Sequence, residues 1–299
     1  MRVANAPVSF GVFDLAGRRA GHVDAPALLE GLRDSGYDGV DLGPPGYLGD
    51  RDTLRANLDA VGMDLAGGWI DLPFAEEGFA DALPRLDAAL DLLERGAGDQ
   101  HPPRPTLACS GSPARAANPG AGAHDPDLRL DEPGWRRFAG NVGRAADRCR
   151  ARGLEPTFHH HACTFVEAPA EIEQLLDRTD IDLCLDTGHL LLGGGDPVTA
   201  LRDWADRVNH LHVKDARVDV LDAVVRERAG MRAVWERGAF CPLGAGDLDI
   251  TSFMDTLRGV GYDGWVVVEQ DIVPGSDDTL AHLLDVQAAN RDQLRKWGI

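Results

Sequence analysis

Short apolar runs alternate with longer amphipathic runs along the whole chain. Eight short runs are candidate strands: VANAPVSF, DGVDLG, MDLAGGWI, RPTLACSG, LEPTFHHH, IDLCLDTGH, VNHLHVKD and GWVVVEQD. The longer runs between them have helical periodicity, and several end in glycine, the usual stop of a helix. These candidate helices are APALLEGLRDSG, DTLRANLDAVG, ALPRLDAALDLLERG, GWRRFAGNVGRAADRCRARG, PAEIEQLLDRT, PVTALRDWADR, ITSFMDTLRGVG and DTLAHLLDVQAANRDQLRKWG.

This alternation indicates an α/β protein with a parallel sheet, because each crossover has to cover a face of the sheet. Eight strand–helix units in 299 residues fit a (β/α)8 TIM barrel. A doubly wound sheet is the alternative, and the absence of a GxGxxG turn after the first strand argues against it. The sequence therefore predicts one barrel domain that spans residues 1–299.

Two segments interrupt the alternation. Residues 111–129, GSPARAANPGAGAHDPDLR, form a predicted loop after the fourth strand, and loops of this length are usually disordered or act as lids. Residues 216–249 form an extended connection after the seventh strand. Both segments follow strand ends, so we expect them at the mouth of the barrel, where the strands end in their carboxyl termini.

Composition narrows the class of protein. Hydrophobic residues make up 43% and charged residues 26%, as in ordinary soluble proteins. We expect no membrane partner and a cytoplasmic location, because the chain has neither a long apolar span nor a signal-peptide pattern. The net charge of −19 argues against a nucleic-acid partner. The five cysteines form no CxxC pair, which argues against a disulfide framework and a thiolate zinc site.

Polar side chains end four of the late strands, which is where barrels of this kind build active sites. Period-two alternation places His159 and His161 on one face of their strand and His160 on the other. The polar residues that this alternation places inward at the four strand ends are His159 and His161; Asp186, followed by His189; His210, His212 and Lys214; and Glu269 and Asp271.

Imidazole and carboxylate groups on neighbouring strands are typical ligands of a divalent ion. Any one of these histidines alone is more often a structural residue, and Asp186 alone could cap the following turn. Glu269 is harder to explain structurally, because a buried unpaired carboxylate is costly. The combination predicts a metal site with positions open to a substrate carbonyl and hydroxyl. Lys214 and Arg217 could hold substrate oxygens or form surface ion pairs, and Asp249 fits the N-cap of the helix after it.

The motifs FHHHACT, LCLDTGHLLLGGGDP, RVNHLHVKDAR, PLGAGDLD and GYDGWVVVEQD resemble the xylose-isomerase-like TIM barrels. This superfamily contains sugar phosphate isomerases and epimerases, endonuclease IV and several dehydratases. Within it, the chain is most similar to the inosose (2-keto-myo-inositol) dehydratases. The resemblance covers about residues 154–271, whereas the N-terminal half agrees only in architecture and in a loose APVSFGVF opening.

The resemblance implies a divalent ion, with Mn²⁺ or Co²⁺ favoured and Zn²⁺, Fe²⁺ or Mg²⁺ as alternatives. The implied metal ligands are His159, Asp186, His212 and Glu269. The implied catalytic residues are Glu269, His161 and His189, with substrate contacts from His161, His189 and Arg217. The isomerases and epimerases usually carry a glutamate where this chain has His159, so epimerisation by two carboxylates on opposite substrate faces is disfavoured. Elimination instead needs a base, a Lewis acid and a general acid.

The leading hypothesis is a metal-dependent lyase of inositol catabolism that dehydrates a cyclic keto-polyol through a metal-stabilised enolate. The alternative is a sugar or sugar-phosphate isomerase or epimerase on the same metal site. An endonuclease IV-type nuclease conflicts with the strong acidity, and a non-enzymatic sugar-binding barrel would need a cluster that binds no metal. The expected partner is therefore a small polyol or sugar, and a homo-oligomer is left open.

Overall fold

The computed structural model describes residues 1–15, 18–19, 23–98, 101–275 and 278–299. One parallel sheet is formed by β1 (Arg2–Asn5), β2 (Gly39–Val40), β3 (Asp64–Leu65), β4 (Gly67–Leu72), β5 (Arg104–Cys109), β6 (Thr157–His159), β7 (Asp182–Asp186), β8 (Val208–Val213) and β9 (Trp265–Val268). Its strand order is β3-β2-β1-β9-β8-β7-β6-β5-β4. Only Ala66 separates β3 from β4; β3 pairs with β2, and β4 pairs with β5. The sheet thus curves round into the predicted barrel, with β3 and β4 as one interrupted strand.

Helices surround this sheet. They are α1 (Ala25–Ser35), α2 (Leu54–Val61), α3 (Leu83–Gly96), α4 (Pro113–Ala117), α5 (Ala121–His124), α6 (Glu132–Arg150), α7 (Pro169–Arg178), α8 (Thr187–Leu192), α9 (Pro197–Asp203), α10 (Val218–Glu227), α11 (Gly230–Glu236), α12 (Ile250–Gly259) and α13 (Leu280–Arg295). Two short antiparallel pairs join Asp14–Leu15 to Arg18–Arg19 and Asp215–Ala216 to Phe240–Cys241. No helix in the described ranges is long and apolar enough to cross a membrane.

Local sequence signals explain several helix ends. The side chain of Asp131 accepts a hydrogen bond from the backbone N–H of Gly134 at the start of α6. Asp249 caps α12 in the same way, as the sequence predicts. Gly36 ends α1 with a φ of 86°, a left-handed conformation that glycine adopts without a steric penalty.

Three predicted boundaries differ from the structure. The first strand ends at Asn5 because Pro7, which has no N–H for a strand ladder, begins a 3-10 turn over Pro7–Phe10. The predicted 111–129 loop contains α4, α5 and a 3-10 turn, and Ser112 caps α4. The predicted 216–249 connection contains α10, α11 and one strand of an antiparallel pair. Of these helices, α4, α5 and α11 have at most seven residues, so their periodicity is too brief to stand out in the sequence, whereas α10 is as long as the predicted α7.

The apolar core lies mainly between the barrel and its helices. Its fully buried members include Leu32 of α1, Leu90 of α3, Phe138 of α6, Leu211 of β8 and Val266 of β9. Inside the barrel, a second cluster contains the small residues Ala4 and Ala66 with Val267. Since Val267 and Glu269 are two residues apart, the inner face changes from apolar to charged towards the mouth.

A buried ion cluster anchors the 111–129 segment. The fully buried guanidinium of Arg115 donates hydrogen bonds to Glu171 at 2.8 and 2.9 Å and to Glu167 at 3.1 Å. Glu167 also accepts the backbone N–H groups of Gly120 and Gly122, each at 2.9 Å. The segment after β5 is therefore tied to the segment after β6 by charge-assisted hydrogen bonds.

Replacing Arg115 with methionine should destabilise the fold, because it leaves two buried carboxylates without their cation. We expect the free energy of unfolding to fall by about 3–5 kcal/mol, as measured by urea denaturation. The control is Arg137→Met, which removes a partly exposed ion pair with Glu77 and should cost less than about 1 kcal/mol. Equal losses in the two variants would show that the buried cluster has no special contribution.

Candidate metal centre

Four strands that are neighbours in the sheet each bring one ligand-type side chain to the same end of the barrel. The residues are His159 at the end of β6, Asp186 at the end of β7, His212 in β8 and Glu269 directly after β9. All four are buried, and one ligand atom from each lies within 4.8 Å of the others. The structure therefore brings together the four residues that the family resemblance implies as metal ligands.

The carboxylate of Asp186 lies at the centre of this cluster. Its Oδ1 accepts the backbone N–H of His189 at 2.8 Å, which caps α8 and fixes the side chain. Its Oδ2 lies 3.3 Å from His159 Nε2 and 3.7 Å from His212 Nδ1. His212 Nδ1 is in turn 3.0 Å from Glu269 Oε2. One carboxylate oxygen is thus committed to the helix, and the other faces the ligand cluster.

The donor atoms fit a divalent ion. Within the described part of the chain, His159 Nδ1 and both ring nitrogens of His212 have no hydrogen-bond partner, although they are buried. The 3.0 Å approach of His212 to Glu269 therefore lacks hydrogen-bond geometry. Buried polar atoms without partners are costly, and metal coordination would satisfy one of the two ring nitrogens of His212. Two imidazoles and two carboxylates form a mixed set that could hold a divalent transition-metal ion.

His160 supports the cluster from behind. Its Nε2 accepts the backbone N–H of Asp186 at 3.1 Å, so the ring joins β6 to β7 and does not face the centre. Burial lowers the pKa of His160 to about 3, which keeps the ring neutral and able to accept this bond. The three consecutive histidines therefore do different things: His159 is a ligand candidate, His160 is structural and His161 faces a second group of polar residues.

Charges within the cluster oppose the effect of burial. Burial alone would raise the pKa of Glu269, but the positive charges of His212 and Lys214 outweigh it and lower the pKa to about 2. Burial likewise favours a neutral His212, yet Cys184, Glu269 and Asp186 hold its pKa well above the ordinary value. His159, in contrast, has its pKa lowered to about 4, chiefly by burial. Without an ion, the cluster therefore keeps a proton on His212.

A second polar group adjoins the first. His161, His189 and Asp271 each offer a ligand atom within 4.8 Å of the others. The ring centroids of His161 and His189 are 3.8 Å apart. Lys214 lies between the two groups, with Nζ 2.7 Å from Asp271 and 3.2 Å from Asp186. His161, His189 and Lys214 thus assemble as predicted, but the ion pairs of Lys214 are buried and not on the surface.

Arg217 lies apart from these groups. It is exposed at the residue before α10, and its guanidinium donates a hydrogen bond to the carbonyl of Gly238. Because Arg217 lies on the segment that follows β8, it is located at the rim of the barrel mouth. No contact between Arg217 and the metal ligands occurs among the residues described.

Two residues of this site were missed by the sequence analysis. Asp41 is buried, with Oδ2 3.9 Å from His212 Nε2, and burial raises its pKa to about 7. The run DGVDLG has a carboxylate directly after a short strand, which is the same signal that identified Asp186. Trp69 is 43% exposed in β4, with ring centroids 5.1 Å from His159 and 5.3 Å from His161. A large exposed aromatic side chain beside polar groups typically contacts ligands.

Comparisons with known proteins agree on the family that the chain resembles. The family model for the xylose isomerase-like TIM barrel matches residues 29–288. The chain is 31% identical to the inosose dehydratase of Geobacillus kaustophilus, over 94% of this chain and 89% of that protein. It is 33% identical to the rhizopine catabolism protein MocC of Rhizobium meliloti, over 85% and 77% of the two chains.

Solved structures agree on the fold. The probable 3-DHS dehydratase AsbF of Bacillus anthracis superposes with a TM-score of 0.70 at 14% identity, over 99% of both chains. A structure of L-ribulose 3-epimerase superposes with a TM-score of 0.69 at 16% identity, over 99% of this chain and 94% of that one. At such low identity, these likenesses support the barrel architecture.

Binding of a divalent ion to the cluster should release a proton, because His212 has to lose its proton before a ring nitrogen can coordinate. A pKa raised above its ordinary value means that protons compete with the metal up to that pKa, so metal affinity should rise with pH. We expect roughly one proton per ion near pH 7, counted by calorimetry in buffers of different ionisation enthalpy. An unchanged proton count in His212→Gln would rule out His212 as the source.

Proposed function

The chain belongs to the xylose isomerase-like TIM barrel family, and we propose that it is a divalent-metal-dependent dehydratase of a cyclic keto-polyol such as 2-keto-myo-inositol. The observation that carries this proposal is the buried cluster of two histidines and two carboxylates at the barrel mouth. Relatives named inosose dehydratase, which match over most of the chain, supply the substrate class. The reaction is a carbon–oxygen lyase step that would serve inositol catabolism.

The proposed metal ligands are His159, Asp186, His212 and Glu269. We favour Mn²⁺ or Co²⁺, because these ions accept mixed imidazole and carboxylate ligands. When bound, such an ion supplies Lewis acidity to the carbonyl oxygen of the substrate, which makes the neighbouring C–H bond more acidic.

His161 is the base that the geometry supports best. Its Nδ1 lies 2.8 Å from the carbonyl oxygen of Ala162 and donates to it, so Nε2 keeps a free lone pair. Burial lowers the pKa of His161 below the ordinary value, which leaves the ring neutral and ready to accept a proton near pH 7. Glu269 is a poorer base, because the pKa of about 2 reflects its charge-stabilising neighbours. We therefore assign Glu269 to the metal and proton removal to His161.

The same histidine can complete the elimination. The C–H electron pair becomes the new double bond, the carbon–oxygen bond breaks, and the departing hydroxyl takes the proton from the imidazolium of His161 as water. Because His161 takes the proton and returns it to the hydroxyl, both groups have to leave from the same face of the substrate ring. His189 packs against His161 and accepts the backbone N–H of Ala162, so it fixes the loop that carries the base. Arg217 is proposed as a contact at the rim, and Trp69 forms an exposed wall beside the base.

Metal-stripped protein should convert 2-keto-myo-inositol only after Mn²⁺ or Co²⁺ is added, with a rise in ultraviolet absorbance from the dehydrated product. Asp186→Asn and Glu269→Gln should each reduce the rate to that of the metal-free protein, because each removes a charged ligand. The control is Glu77→Gln, which neutralises a highly exposed carboxylate and should leave the rate unchanged. An isomerised product without loss of water, detected by chromatography, would replace the dehydratase with the isomerase or epimerase alternative.

Replacement of His161 or of His159 by glutamine, in two separate variants, should distinguish the proposed base from a proposed metal ligand. We expect His161→Gln to lower kcat by about 10²–10⁴-fold while the bound metal, measured by elemental analysis, stays at the wild-type amount. His159→Gln should reduce the bound metal itself. Deuterium uptake at the carbon next to the ketone should stop in His161→Gln, and loss of metal from that variant would contradict the assignment.

A further inference from the structure

The second polar group has the composition of a metal site of its own. His161, His189 and Asp271 share no residue with the proposed metal ligands, and they lie at the same end of the barrel. Two imidazoles and one carboxylate are sufficient protein ligands for a divalent ion such as Zn²⁺ or Co²⁺. The negative charge of this second polar group has to be balanced by a cation.

Lys214 is the cation that already lies there. Its Nζ is 2.7 Å from Asp271 Oδ1 and 3.2 Å from His189 Nε2, which belong to the second group. It is also 3.1 Å from Glu269 Oε2 and 3.2 Å from Asp186 Oδ2, which belong to the first. Three ammonium protons therefore face three carboxylate oxygens, one each from Asp186, Glu269 and Asp271, and Lys214 is only 1% exposed. The ammonium bridges the two groups much as a metal ion would.

The backbone beside Lys214 leaves space for the lysine side chain. A Cβ on Gly188 would lie 2.7 Å from Lys214 Cγ and 3.0 Å from both Cβ and Cδ. No left-handed φ explains this glycine, because Gly188 is absent from the positive-φ glycines of the chain. The glycine of the DTGH motif therefore makes room for the lysine stem, and Lys214 Nζ lies 5.0 Å from the centroid of the Phe240 ring.

Charge explains why one divalent ion suffices. Lys214 contacts three carboxylates, of Asp186, Glu269 and Asp271. The ammonium balances one negative charge, and a single divalent ion on the first group balances the other two. A second divalent ion would have to sit beside the ammonium in a buried site, where repulsion between like charges is strong.

We propose that Lys214 occupies the place of a second divalent cation, and that it keeps the centre mononuclear by closing a latent site made of His161, His189 and Asp271. The proposal deepens the proposed function, because it defines how many ions that same centre accepts. It predicts that removal of the lysine charge opens the latent site, whereas a cationic replacement keeps it closed.

Metal stoichiometry tests the proposal without reference to turnover. Apo protein is dialysed against Co²⁺ or Mn²⁺, and the bound metal is measured by elemental analysis. Wild type should bind one ion, Lys214→Met two, and Lys214→Arg one. In Mn²⁺-loaded Lys214→Met, electron paramagnetic resonance should show spin coupling between two close ions, which the wild-type spectrum should lack. Lys214→Gln provides a second neutral variant in case Lys214→Met does not fold.

Double variants assign the extra ion. Lys214→Met with Asp271→Asn should return to one ion, and Lys214→Met with Asp186→Asn should keep one ion in the latent site. One ion in both neutral single variants, or two in wild type, would overturn the proposal. If wild type bound none while Lys214→Met bound one that Asp271→Asn removed, the latent site would stand and the proposed metal centre would fail.

Discussion

The fixed position of the Asp186 carboxylate is the constraint on which the site depends. One of its oxygens is held by the first turn of α8, so the other cannot turn away from the mouth. Around that second oxygen the barrel gathers His159, His212 and Lys214, each delivered by a strand end or the residue directly after one. Because parallel strands end at the same level, a single anchored carboxylate is enough to set the geometry for all of them.

Two buried ionic clusters in this chain differ in how far their polar atoms are already paired. In the cluster around Arg115, the guanidinium and several backbone N–H groups occupy the oxygens of Glu167 and Glu171, so little capacity for another ligand remains. At the barrel mouth, Nδ1 of His159 and both ring nitrogens of His212 have no hydrogen-bond partner among the described residues, and three carboxylates contact the single ammonium of Lys214. The first design holds loops in place, and the second is suited to bind a cation. The backbone N–H of Cys163 in the FHHHACT loop also donates to Glu167, so the structural cluster steadies the loop that carries His161.

The alternation of runs was sufficient to predict the barrel, and strand-end polarity was sufficient to predict a cluster of ligand-type side chains at its mouth, because both depend on local periodicity. The choice of four proposed ligands within that cluster came from the family resemblance. The helices in residues 111–129 and 216–249 were not predicted. Most of them have only one or two turns, and α10, which is longer, lies inside a segment interpreted as an extended connection. Trp69 was missed because its role depends on which distant strands close the barrel around it. Asp41 was missed although it follows a short strand as Asp186 does, because it lies far in sequence from the other polar strand ends. The burial of Lys214 depends likewise on Gly188 and on carboxylates from two other strands, and none of these relations is local in sequence.

His159 connects the charge of the centre with the chemistry that we propose. A glutamate at this position, as the isomerases and epimerases usually carry, would add a negative charge and a second carboxylate base. The neutral imidazole removes both, because burial holds its pKa at about 4 and its Nε2 faces Asp186. With Lys214 balancing one carboxylate, the remaining charge then matches a single divalent ion. With His161 as the proposed base, one neutral imidazole can remove the proton and return it to the departing hydroxyl on the same face, which suits an elimination.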